Sequence, residues 1–127
     1  MIGAPMEAHF TTAQARALIP ELLQRAEAIV RMRADLADAQ VAVRRGEHPA
    51  GGVAEVKSLE AHLQEAIDWF PEHGIDLKGI APLIVDFPGE VDGEAVLLCW
   101  LEGETALDWY HPAGTGFMGR RRLPDSG

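Results

Sequence analysis

Apolar positions in the first half of the chain recur at helical spacing. Leu22, Ile29, Leu36 and Val43 fall seven residues apart, with Leu23, Val30 and Ala37 widening the stripe. That is the seam of a coiled-coil-like helix. Thr11 with Gln14 three residues on forms a capping box that would satisfy the first amides of a helix. Pro20 lacks an amide hydrogen and clashes with the turn before it. The pattern therefore predicts a kink there, or a short first helix followed by a long one starting at Pro20. The run Gly46-Glu47-His48-Pro49-Ala50-Gly51-Gly52 breaks the helix. Val56, Leu59, Leu63, Ala66, Ile67 and Phe70 then mark one face of a second helix, which Gly74 would stop. A short connection makes the two helices antiparallel neighbours.

Beyond Gly74 the period shortens to two. Strands are expected over 83–87, 95–101 and 106–111, with turns at Asp92-Gly93 and Gly103-Glu104. The predicted class is α+β: a long antiparallel helical hairpin, with helices over 12–45 and 53–73, packed on a three-stranded antiparallel β-meander. Residues 10–119 make a single domain, between a flexible N-terminus over 1–9 and a flexible basic tail over 120–127. If both turns are two-residue loops, Leu98 faces Phe87 and Trp109, and Trp100 faces Val85 and Leu107. Alternation then puts His111 on the core face with Val85, Phe87 and Trp100. The other face carries a row of Asp86, Cys99 and Asp108.

Strands of about six residues cover roughly 20 Å. A helix of 25 to 34 residues reaches about 40 to 50 Å. The overhang would leave Leu36, Ala37 and Val43 uncovered, so the expected partner is a second copy of the chain, as a symmetric homodimer.

Charge adds what the chain avoids. The net charge is −9, and residues 48–119 hold thirteen acids against Lys57 and Lys78. Such a field disfavours nucleic acid and anionic membranes. No apolar run approaches the roughly 20 residues of a spanning helix, and the N-terminus lacks the pattern of a secretion signal. A single cysteine fits a reducing compartment. Cytoplasmic localisation follows as the expectation.

The residue types suited to chemistry are Asp86, Cys99, Asp108, His111 and Arg120. Zinc sites need three or four converging ligands, and a Cys–His nucleophile pair needs hydrogen-bond reach. The register above separates His111 from Cys99, so neither a metal set nor a catalytic pair is complete, and no cofactor is implied. Gly114-Thr115-Gly116-Phe117-Met118-Gly119 matches the dinucleotide fingerprint formally. Only RRRLPDSG follows it, too little for the helix that fingerprint requires. Arg120, Arg121 and Arg122 could hold an anion.

One string of short motifs resembles a known family. Phe10-Thr11, Gly74-Ile75-Asp76-Leu77-Lys78, Val85-Asp86-Phe87-Pro88, Cys99-Trp100, Gly103-Glu104, Trp109 with His111, and Gly116-Phe117-Met118-Gly119-Arg120 carry the likeness. It is to a small uncharacterised bacterial family, domain of unknown function 2203, over roughly Phe10 to Leu123. Tyr110 departs from the pattern, in which tryptophan and histidine are adjacent. The resemblance supports the fold and implies no activity. The favoured expectation is a non-enzymatic homodimeric module that meets another protein. The alternative is a small-ligand, anion or metal-binding protein, with or without catalysis, whose site lies at the end of the sheet.

Overall fold

A computed structural model describes residues 9–47 and 52–124. The expectations for the N-terminus over 1–8, for the middle of the glycine-rich break and for 125–127 lie outside the described residues. Among the described residues, three α-helices precede a five-stranded antiparallel sheet in the order β1-β2-β3-β4-β5. The α+β class is therefore as expected, but two strands join the predicted meander. The strands are β1 (Asp76–Ile80), β2 (Leu83–Val91), β3 (Glu94–Leu101), β4 (Trp109–Pro112) and β5 (Arg121–Arg122). The chain groups into two compact units. One runs to Leu23 and resumes at Phe70; the other is Gln24–Trp69.

Thr11 caps α1 (Thr12–Ala17) through the predicted box, its hydroxyl accepting from the Gln14 amide and the Gln14 side chain accepting in return. Pro20 cannot donate to the turn before it, so helical bonding breaks at Leu18 and α2 (Ile19–Arg44) starts afresh. Thus the short-first-helix alternative is the one realised. Ala26, Ile29 and Ala39 are buried along α2, and Gly46 ends it at φ 77°. In α3 (Gly52–Glu72) the stop is as expected. The Gly74 amide donates to Pro71 and that of Ile75 to Phe70, with Gly74 at φ 76°, a Schellman end. Within the Gln24–Trp69 unit, the Arg25 guanidinium lies 3.8 Å from the centre of the Trp69 ring. Gln40, Val43 and Arg44 share a depression with Val53 and Val56. Early α2 thus meets late α3 and the reverse, which makes the pair antiparallel.

The sheet positions everything that follows. Asp92 and Gly93 take φ values of 52° and 80°. Both positive, they make the tight primed turn whose twist suits a hairpin. The turn sets Val91 against Glu94 and so Phe87 against Leu98, Asp86 against Cys99 and Val85 against Trp100, as the turn predicts. Val85, Phe87, Val96, Leu98 and Trp100 are all buried on one face, and α1 packs against β2. Phe10 bridges to Gly89 and meets the Phe87 ring edge-on at 5.4 Å.

The β3–β4 register departs from expectation by one residue. Cys99, rather than Leu98, stands opposite Trp109, and Leu97 stands opposite His111. The cause is the segment 102–108, which is no two-residue loop. Glu104 accepts from the Leu101 amide through its carboxylate and from the Trp100 indole through its carbonyl, at 2.8 and 3.0 Å. Glu102 accepts from the Leu83 amide at 2.9 Å. These bonds hold a wider turn, and β4 begins only at Trp109. Arg121 and Arg122 pair with Tyr110 and Trp109 as β5, and Leu123 is buried. The stretch read as a tail is thus part of the sheet up to that point.

Candidate metal centre

The one-residue shift moves His111 across the sheet. Cross-strand partners share a face, and so do residues two apart on one strand. Asp86 opposite Cys99, Cys99 opposite Trp109, and His111 two beyond Trp109 therefore all project from the side away from Phe87 and Trp100. The expectation that His111 lies on the core face is corrected by this register. Asp86, Cys99 and His111 converge, each buried, with one ligand atom apiece and no two of these further apart than 4.8 Å. They come from three adjacent strands, β2, β3 and β4.

Their hydrogen bonds are specific. His111 Nδ1 lies 2.9 Å from the Pro112 carbonyl, which can only accept, so this nitrogen carries a hydrogen and donates it. His111 Nε2 lies 3.1 Å from Asp86 Oδ2. An ionised carboxylate also only accepts. A lone pair on Nε2 would face it unfavourably, so the gap calls for a proton or another cation. Lys78 Nζ reaches the same Oδ2 at 3.1 Å. Asp86 Oδ1 is buried with no N–H or O–H donor among the described residues. Burial, and then the Asp86 charge, push the Cys99 thiol up to about 12, with Arg120 pulling the other way. Without a metal the sulfur therefore stays protonated.

Arg120 closes one side. It donates to the Cys99 carbonyl at 3.2 Å and to Glu104 at 2.8 Å. Its guanidinium lies 4.9 Å from the ring centres of both Trp109 and Phe117. Partial burial is the largest single influence and opposes the charge, but Glu104 and Cys99 together outweigh it, and Arg120 is held above its ordinary value. This cation is thus engaged within the protein, by Glu104 and by the Cys99 carbonyl.

Of the five candidates, then, Asp86, Cys99 and His111 come together and Arg120 stands beside them. Asp108 does not join: its carboxylate lies 3.9 Å from the Arg16 guanidinium of α1, and Arg16 also donates to the Leu107 carbonyl at 3.1 Å. Sequence reasoning missed Lys78 and Glu104. Lys78 occupies a bulge of β1, between Leu77 opposite Val85 and Gly79 opposite Ile84. The one sequence signal of that bulge is Gly79 inside the short strand. Among the interface candidates Leu36 is half-buried, while Ala37 and Val43 are exposed.

The fold and this cluster define an α+β protein with a buried aspartate, cysteine and histidine on one sheet face. A model of a family of uncharacterized conserved proteins, DUF2203, matches residues 8–123, and the chain belongs to that family. No curated protein and no solved structure matches it. No helix among the described residues is long and apolar enough to cross a membrane.

Proposed function

We propose that this protein binds one divalent first-row transition ion of the zinc class through Asp86, Cys99 and His111. The observation that carries the reading is the pairing of the two imidazole nitrogens. Nδ1–H is held by a backbone carbonyl, the outer contact usual for a metal-bound histidine. Nε2 faces a carboxylate with no donor of its own. A thiol, an imidazole and a carboxylate together suit zinc and its neighbours better than magnesium or calcium. A tetrahedral ion would hold the three atoms about 3.3 to 3.8 Å from one another, within reach of atoms that already lie no more than 4.8 Å apart.

The competing chemistry for the same residues is a Cys–His–Asp nucleophile. It needs the imidazole to bridge thiol and carboxylate, one nitrogen to each. Here one nitrogen is on Asp86 and the other on Pro112, which leaves none for Cys99. A reactive cysteine also needs its ionisation eased, whereas this one is pushed up to about 12. Binding, with the ion tying three strands together, is the better reading.

Cobalt(II) titration of the chelator-treated protein tests it. One equivalent should bind with a sulfur-to-cobalt charge-transfer band, absent in Cys99→Ser, and should raise the melting temperature by mass action. A folded wild type that takes up no cobalt or zinc overturns the proposal.

A second reading concerns the Gln24–Trp69 unit, as a self-associating surface. It is favoured by Val53 and Val43, which are 62% and 37% exposed beside one another at one end of the helix pair. Val43→Glu is expected to shift a dimer to monomer in light scattering. A wild type that is monomeric at high concentration rules the reading out.

A further inference from the structure

We propose that Lys78 sets the affinity and the selectivity of the Asp86–Cys99–His111 site, its ammonium group being a resident counter-cation on Asp86 that an entering metal ion displaces. The inference rests on the metal-binding reading above and adds the group that the ion must compete with.

Asp86 Oδ2 faces two cationic or potentially cationic groups, Lys78 Nζ and His111 Nε2, each at 3.1 Å. These two differ in burial. The His111 and Asp86 side chains are 2% exposed, whereas that of Lys78 is 48% exposed. His111 is fixed at both nitrogens, by the Pro112 carbonyl of its own strand and by Asp86 of β2. Lys78 sits in the bulge of edge strand β1 on a flexible four-carbon stem, and can swing into water without uncovering the core. Of the groups on this carboxylate, Lys78 is the one that can leave.

Charge decides that it must. A carboxylate and a thiolate carry two negative charges, which a divalent ion neutralises in full. An ammonium group left within a few ångströms of that ion would then be repelled, most strongly at the low-dielectric face of the sheet. Arg120 does not compete in the same way, because its guanidinium is engaged by Glu104 and by the Cys99 carbonyl. Lys78 therefore stabilises the metal-free protein and opposes the loaded one. Only an ion that gains from the thiolate and imidazole can displace it. Magnesium and calcium, which favour oxygen donors, gain nothing from Cys99 or His111.

The test is a chelator-competition titration of the full chain with zinc and cobalt, for the wild type and for Lys78→Met, Lys78→Gln and Lys78→Arg. Neutral variants should bind at least about tenfold more tightly, and Lys78→Arg should stay near the wild type. Two neutral variants guard against one that folds poorly. Binding in Lys78→Met and Lys78→Gln that is no tighter than in the wild type overturns this inference and leaves the metal site standing. If no variant, wild type included, binds either ion, the metal reading falls and takes this one with it.

Discussion

Trp100→Ala is expected to remove a large part of the stability of the sheet unit. Trp100 is the largest of the fully buried side chains, on β3 opposite Val85. Its indole N–H also donates to the Glu104 carbonyl at 3.0 Å, a bond that helps hold the wide 102–108 turn. Truncating a buried tryptophan costs about 3 to 5 kcal/mol, against a total of about 5 to 15 kcal/mol for a typical domain. The effect should reach the candidate centre as well, since that turn sets the register which brings His111 beside Cys99. Denaturant unfolding measures the loss directly. A change below about 1 kcal/mol would mean that the tryptophan is not the core of this unit.

Asp86→Asn is the second large effect, and it separates a metal site from a purely polar network. The two side chains have nearly the same shape, so the packing beside Cys99 survives. Asparagine offers no charge to a metal, to His111 or to Lys78. In chelator the cost should be about 1 to 3 kcal/mol, the range for removing one partner of a buried polar contact. The Lys78 pair accounts for the smaller share of it, because water partly screens that half-exposed ammonium. With zinc present the difference should widen, since only the wild type gains stability from the ion. Metal affinity should fall by about a hundredfold or more, beyond the 10- to 100-fold typical of losing an outer contact. Equal stabilisation of both proteins by zinc would place the ion elsewhere.

Where local chemistry decides a feature, the sequence was enough to read it. Thr11 and Gln14 marked a helix start, Pro20 a break and Gly74 a stop, because each acts through bonds to residues within one turn. Asp92-Gly93 implied a two-residue turn and with it the pairing of Asp86 with Cys99, since few residues tolerate two positive φ angles in succession. The short strands β1 and β5 escaped notice. Arg121 and Arg122 look like a solvated tail until Trp109 and Tyr110 pair with them.

What the chain determined alone was therefore its class, its helix limits, one hairpin and the residue types able to ligate a metal. The tertiary structure decided which of those residues meet. Gly103-Glu104 looks like a second tight turn, but Glu104 is drawn instead into bonds with Leu101, Trp100 and Arg120, and the loop runs on to Asp108. Side chains alternate with a period of two, so a slip of one residue transfers a whole strand to the opposite face. That slip brought His111 to Asp86 and Cys99. It depends on contacts between residues distant in sequence, which no local pattern records.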